Sequence, residues 1–543
     1  MEKMDIRPAS TPKSQKVFYG VGHILNDLCA NCWFSYVLLY WTKIVGLSET
    51  DAGLLLLIGQ VADAVSTIFI GYACDRTKFR WYGKRKLWHL IGCACVLVSF
   101  PFIFNVCLSC EDASETSKMF YYAAFVILFQ FGWASTENSH LALIPEIAKR
   151  TSDIVQLNAI RSGFFFICGI FVYGLTWILL GGAEGVEVDP SLAPQFKYLS
   201  LVVVAVGFFF VTIFHFGTKE EKYCPPSSHD LESADTNSEG STTTNKDKIK
   251  TWKDWLRDSR FYKTGLLYMC TRLSINIFQS FLVLYLTDAL HFQKEAIAYF
   301  PLIVLICGVV TSSFMQKITK QIGYQLTYVI GASLMVAGSV WLFVVTKEAR
   351  QSVYGAVSVV GISISIMLVT ALAKTAELIG KNKESGAFVY SCMSFLDKLS
   401  TGLVIFAIQV LKPTAENRYQ CSDCEWFSKI TQSVVPGGFA MIGFLAMVLL
   451  FPSEYTCLRK ISNDLKPSVS RSNIISNPSN EYEKQSQEYQ TKNPSDMDIY
   501  YSTETEDRIN NHFDETVKNV SLGMQQTSLD IPPTEKNQKF DNC

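Results

Sequence analysis

The sequence predicts an all-α membrane protein in which twelve helices cross a bilayer as two halves of six. Apolar stretches of roughly 20 residues, long enough to cross about 30 Å of hydrocarbon as helix, recur twelve times with short polar breaks. The chain of 543 residues is 49% hydrophobic and 18% charged, and its charges gather in residues 1–16, in a central stretch and in the tail after residue 452. Isolated ionisable groups nevertheless stand inside the apolar stretches: Asp27, Glu137, Arg161 and Lys398. A charge at the bilayer centre costs at least about 2.5 kcal/mol, so each must turn toward a partner or a watery cavity. That pattern points to a transporter.

Residues 1–16 are polar, lack the apolar core of a signal peptide and read as a cytosolic N-terminus. The first span, 17–45, sets His23, Asp27 and Asn31 four residues apart, in one stripe along a helix face. Such a stripe faces a cavity or forms an interhelical hydrogen-bond seam, and an ionisable Asp favours the cavity. The second span, 51–74, repeats the arrangement with Gln60, Asp63 and Thr67. A carboxylate and a hydroxyl one turn apart can ligate a cation or relay a proton, and a single carboxylate suits a proton better than sodium.

The loop that follows, Asp75 to Lys86, is densely basic and is therefore expected in the cytosol, which puts both termini there as well. Gly71, Asp75, Arg76, Lys84 and Arg85 form a latch pattern within it. Glycine permits close helix approach, and Asp75 can cap a helix or pair with a cation in an ionic contact that breaks as the halves rock. The alternative is plain anchoring of the basic residues at the membrane surface. The third span, 87–107, ends in Cys107-x-x-Cys110, and Cys421-x-x-Cys424 precedes the twelfth. Both pairs fall opposite the basic loop, in an oxidising compartment, where disulfides within or between the pairs are expected over a zinc site.

The fourth span, 119–143, carries Glu137 with His140 one turn on, and the fifth, 157–180, carries Asn158 and Arg161. Opposite charges on adjacent helices can pair structurally, serve a substrate, or both. The sixth span, 196–216, closes a first half of residues 17–217. Residues 218–256 are too polar to pack and read as a cytosolic linker. The second half, 257–452, holds spans at 261–287, 296–316, 324–345, 354–373, 386–411 and 431–451. Its seventh span presents Arg272, Asn276 and Gln279 on one face, and its eleventh carries Asp397-Lys398. The tail, 453–543, is expected to be disordered and cytosolic, with room for signals read by sorting adaptors.

The two halves are weakly alike. The first span overlays the seventh, which brings Asp27 opposite Thr271 or Arg272, and residues 143–147 overlay 374–378. Repeat-built transporters place substrate between the repeats near the midplane. A site there would hold acids from the first half and cations from both, which suits a small zwitterion: its ammonium would seek Asp27 or Glu137, its carboxylate Arg161, Arg272 or Lys398. A sugar would suit it too. No metal-ligand cluster, nucleophile elbow or phosphate loop stands out, so neither an enzyme, a cofactor nor a nucleic-acid partner is expected.

Residues 71–86 resemble the loop signature of the major facilitator superfamily. Asn26-Asp27, Asp63-Ala-Val-Ser-Thr67, Glu137 eight residues before Pro145, Leu157-x-x-x-Arg161 and Asp397-Lys398 further resemble its glycoside-pentoside-hexuronide:cation symporter branch. That resemblance implies substrate-binding roles for Asp27, Glu137 and Arg161 and cation-site roles for Asp63 and Lys398. With the polar faces and the internal repeat, the expected substrate site is Asp27, Asn31, Glu137, Arg161, Arg272 and Lys398, and the expected coupling group Asp63 with Thr67. Thr67 stands where the branch has a second acid, so a proton, or no ion, is expected in place of sodium. Gly22-His-Ile-Leu-Asn-Asp-Leu28, residues 53–63, Phe129-Gln-Phe-Gly-Trp-Ala-Ser-Thr136 and Met393-Ser-Phe-Leu-Asp-Lys398 are similar to an animal group of lysosomal and melanosomal members. That resemblance implies cysteine import by alternating access, in support of pigment-related thiol chemistry. The rival expectations are a cation-coupled sugar symporter and a non-transporting membrane scaffold or sensor.

Overall fold

The first apolar stretch folds in pieces. In the computed structural model, Lys13–Val21 (α1) stops at Gly22, and Ile24–Leu39 (α2) restarts after His23 and runs into a π-helical turn, Tyr40–Val45. Gly46 ends that turn in the left-handed region, φ 78°. The break falls one turn before Asp27, so the backbone irregularity and the buried acid share one place along the span. Residues 10–77, 82–107, 113–220, 250–380, 386–413 and 422–451 are described, all within one unit, Met1–Lys460.

The remaining elements are Glu49–Arg76 (α3), Lys84–Ile103 (α4), Glu115–Ala142 (α5), Ile144–Ile147 (α6), Thr151–Gly181 (α7), Ala193–Gly217 (α8), Trp252–Arg257 (α9), Ser259–Asp288 (α10), Ala296–Val344 (α11), Val353–Ile379 (α12), Gly386–Leu411 (α13) and Ser422–Leu450 (α14). Among the described residues ten helices are long and apolar enough to cross a membrane. The first span is absent from that set because it is divided. One of the ten, α11, contains two spans, because Gly323 leaves the helical region at φ 79°, ψ 160°. Its 49 residues would otherwise run on for roughly 73 Å, more than twice the hydrocarbon thickness. All twelve apolar stretches are therefore helical, and the fold is all-α.

Within lipid, close backbone approach replaces the hydrophobic effect as the cement between helices. α4 meets α5 through Gly92 and Gly132, where a Cβ on either glycine would fall 2.7 Å from the other's carbonyl oxygen. One aromatic core, built around Trp33, Tyr36, Tyr40, Trp41, Phe129 and Phe196, also takes in Leu273, Ile277 and Phe281 from α10. A second core, with Tyr285, Phe300, Tyr328 and Met335, is built from α10 to α14 alone. α10 thus belongs to both.

α3 and α13 run antiparallel across the two sets of helices. At one end Lys412 Nζ lies 2.7 Å from Glu49 Oε1 and 3.5 Å from Asp288 Oδ2, and Lys43 Nζ lies 2.6 Å from Asp288 Oδ1. Gly53 packs on Gln409 and Gly402 on Gln60, so the helices touch along this stretch. The contact continues to Lys398 and Thr67, and one turn further Gly71 meets nothing within 4 Å. The bundle is therefore tied shut at the end opposite the basic loop.

The basic-loop end is organised within the first six spans. Glu220 accepts from the backbone N–H groups of Arg85 (3.0 Å) and Lys86 (2.9 Å), a carboxylate cap on the first turn of α4. Gly83, at φ 101°, is required there, because a Cβ would meet that carboxylate. Burial and the neighbouring Glu146 push the Glu220 carboxyl up, against the pull of the two N–H groups. At the chain's start, Lys16 Nζ lies 2.6 Å from buried Asp153. Burial alone would raise the Asp153 carboxyl. Hydrogen bonds from Lys16, from the N–H and hydroxyl of Thr11 and from Ser10 outweigh it and hold the carboxyl well below the usual carboxylate range.

Candidate substrate site between the helix halves

Four carboxylates and three permanent cations meet at mid-span. On α2, His23 Nδ1 lies 2.7 Å from Asp27 Oδ1, one helical turn away. On α7, Arg161 Nη2 lies 3.1 Å from His23 Nε2 and 3.4 Å from Glu137 Oε1 of α5. A guanidinium only donates, so His23 Nε2 accepts, and the ring is neutral with its proton on Nδ1, donating to Asp27. The order Asp27, His23, Arg161, Glu137 is thus one hydrogen-bonded row from three helices. Trp133 Nε1 donates to the other Glu137 oxygen at 3.2 Å. Asn31 is turned inward on its own helix, its amide donating to the Asp27 carbonyl at 2.7 Å.

A second group spans the halves. Lys398 Nζ of α13 lies 2.7 Å from Asp63 Oδ1 and donates to the Thr67 hydroxyl at 3.0 Å, and that hydroxyl lies 3.4 Å from the same Asp63 oxygen. The third group is Arg272 Nε to Asp397 Oδ2 at 2.7 Å, with Asn276 donating to the other Asp397 oxygen at 2.8 Å. Each of the three cations is thus matched with an acid: Arg161 with Glu137, Lys398 with Asp63 and Arg272 with Asp397.

The Glu137 and Arg161 side chains remain 32% and 23% exposed in the middle of their spans. Charges at that depth do not face lipid, so the exposed surface belongs to a water-filled cavity. Asp27 Oδ2 and Arg161 Nε are buried and have no hydrogen-bond partner among the described residues. One free acceptor and one free donor remain on opposite sides of His23.

The fold brings together Asp27, Glu137 and Arg161 as one row and Asp63, Thr67 and Lys398 as another. Arg272 is occupied by Asp397, a residue whose pairing role needed the packing of α10 on α13 to be seen. His23 was visible only as part of a polar stripe, and its place as the bridge depends on Arg161 reaching it from α7. Of the latch residues, Arg85 Nε lies 3.1 Å from Glu146 Oε1 and Lys84 3.8 Å from it, contacts inside the first six spans, while Arg76 lies over the Tyr72 ring. The side chain of Asp75 lies outside the described residues. Cys107 and Cys424 are disulfide-bonded, and Cys110 and Cys421 lie outside the described residues. His89, Cys93 and His215, which the spacing did not bring together, converge at the basic-loop end with donor atoms all within 4.8 Å of one another.

Residues 18–452 match the family described as MFS/sugar transport protein. The chain belongs to that family. Human major facilitator superfamily domain-containing protein 12 is 40% identical to it, over 85% of this chain and 98% of the human protein, and the mouse protein of the same name is 39% identical over 82% and 95%. More distant relatives include the inner membrane symporter YicJ of Escherichia coli, 24% identical over 39% of this chain and 45% of that protein. Among solved structures, a bacterial homolog to the human lysosomal transporter Spinster, inward-facing and unoccupied, superposes with a TM-score of 0.57 at 12% identity, covering 83% of this chain and 99% of the other. The xylose transporter XylE of E. coli, inward open, gives 0.56 at 11%, covering 80% and 94%. These neighbours share the fold. The protein is a multi-pass major facilitator transporter.

Proposed function

We propose that this transporter carries cysteine from the cytosol into lysosomes and melanosomes by alternating access, with Asp27, Asn31, Glu137, Arg161, Arg272 and Lys398 around the substrate. The observation that carries this reading is the row Asp27–His23–Arg161–Glu137, which leaves one buried carboxylate oxygen and one buried guanidinium N–H without partners among the described residues. An α-ammonium and an α-carboxylate would complete both. The resemblance of residues 22–28, 53–63, 129–136 and 393–398 to lysosomal and melanosomal members supports a thiol amino acid among zwitterions. The ties at Glu49, Asp288 and Lys412 support an outer gate, so that with the basic loop in the cytosol the cavity opens toward the cytosol.

Asp63, Thr67 and Lys398 form the coupling group. Near the site four carboxylates face three permanent cations, with His23 neutral. A bound zwitterion does not cancel the surplus negative charge, whereas one monovalent cation does. A single carboxylate, Asp63, with only the Thr67 hydroxyl beside it is a poor oxygen cage for sodium and supports a proton as that cation. The domain boundaries at 17–217 and 257–452, the cytosolic termini and a tail read by sorting adaptors belong to the same proposal.

The test is uptake of labelled cysteine and of a labelled disaccharide into isolated organelles, with and without a pH gradient. Cysteine uptake that responds to the gradient is expected. Disaccharide uptake without cysteine uptake would replace this reading with that of a sugar symporter, which the family description and relatives such as the glucuronide carrier protein homolog of E. coli favour. Accumulation by protein lacking residues 453–543 would exclude a scaffold that signals through its tail.

A further inference from the structure

We infer that His89, Cys93 and His215 form a binding site for a soft d10 metal cation, Cu(I) in preference to Zn(II), at the basic-loop end of the first six spans. His89 and Cys93 are one turn apart on α4, and His215 comes from the last turns of α8. His89 Nδ1 lies 3.1 Å from His215 Nε2 and 3.5 Å from Cys93 Sγ. Metal–nitrogen and metal–sulfur bonds of about 2.0 and 2.3 Å put the donors of one ion roughly 3.3–3.6 Å apart, so these two separations need almost no adjustment. The third, from Cys93 to His215, lies within 4.8 Å and closes by rotation of one side chain.

The surroundings orient the donors. His89 Nε2 donates to the Gly22 carbonyl at 3.1 Å, which fixes the tautomer with its Nδ1 lone pair facing the other two residues. His215 Nδ1 lies 2.7 Å from the Tyr82 hydroxyl. Without an ion, that hydroxyl donates to His215 Nδ1 and His215 Nε2–H donates to His89. With an ion, the hydroxyl accepts from Nδ1–H and frees Nε2 for the metal. A hydroxyl serves both roles, so the site can exchange between the two states without leaving a buried group unpaired.

Charge selects the ion. Lys86 Nζ donates to the carbonyls of His215 and Thr218 at 2.9 and 2.8 Å, so a cation already stands beside the pocket. A Cys93 thiolate cancels a monovalent ion completely but leaves a divalent one with a net positive charge in a buried position next to Lys86. A thiolate and two imidazoles also match the softness of Cu(I), which needs no fourth ligand.

The test uses purified full-length protein in detergent, titrated anaerobically with Cu(I) against a chromophoric chelator, and in parallel with Zn(II). About one equivalent per chain is expected, lost in Cys93→Ser and retained in Cys95→Ser. Tyr82→Phe keeps every ligand and is expected to weaken binding about tenfold or more by removing the hydroxyl that orients His215. X-ray absorption of the loaded protein is expected to report one sulfur and two nitrogen neighbours. Zinc binding with the same residue dependence supports the site and reassigns its ion. Binding unchanged by Cys93→Ser in a variant that unfolds at the wild-type temperature, or no binding by the wild type, overturns the site.

Discussion

Lys398 Nζ of α13 lies 2.7 Å from Asp63 Oδ1 of α3, an ion pair between residues that the chain separates by most of its length. It is buried and joins the two sets of six spans at mid-membrane, and Lys398 also reaches Thr67, one turn further along α3. A structure that opens and closes around a central site must keep or exchange this pair.

Removing one member leaves the other charge buried and alone, which costs about 3–5 kcal/mol. Asp63→Asn and Lys398→Met are each expected to lower the unfolding temperature in detergent clearly, and the double variant to recover most of the loss. Thermal unfolding of the four proteins measures the coupling. Additive losses would show that the pair contributes nothing to stability.

Asp27→Asn keeps the hydrogen bond to His23 but discharges the acid, and Arg161→Ala removes the donor that His23 and Glu137 share. Both are expected to abolish cysteine uptake while the protein still reaches the membrane. Uptake assayed beside membrane abundance separates lost transport from lost protein, and full activity in either variant would remove that residue from the site.

Lys412 bridges Glu49 and Asp288 at the closed end. Lys412→Gln is expected to open that end, with roughly tenfold more open protein for each 1.4 kcal/mol of closure lost. A cysteine placed at Leu57, behind the gate beside Gly402, should then react faster with a membrane-impermeant thiol reagent applied from the side opposite the basic loop. Unchanged labelling would place the gate elsewhere.

The Asp153 carboxyl is held well below the usual carboxylate range by Lys16, Thr11 and Ser10. Its folded pKa is depressed, so its stabilisation is complete above the unfolded value near 3.9 and is lost as pH falls through the folded value. From pH 5 to 8 the contact therefore stays intact and is no switch. Asp153→Asn removes the counter-charge of Lys16 but leaves it the Gln156 and Ser10 oxygens, and is expected to cost about 1.5–3 kcal/mol across that range. It should also flatten the acid limb of unfolding temperature against pH below 4.

Hydropathy alone determined that twelve helices cross a membrane, because the cost of exposing backbone polar groups to hydrocarbon acts on each segment separately. The same local cost made Asp27, Glu137, Arg161 and Lys398 conspicuous, and the spacing of Asp63 and Thr67 already put them on one helix face. Hydropathy separated the spans at 296–316 and 324–345, which meet at Gly323, but did not reveal that the first span breaks at Gly22 and His23. Nor did it reveal which partners the charges choose. Arg272 goes to Asp397, Lys398 to Asp63, Arg161 to both His23 and Glu137, and His215 swings against His89 and Cys93. Those choices rest on which helix faces meet, across as few as 24 residues for Arg161 and Glu137 and more than a hundred for the others, and only the packing of the helices decides them.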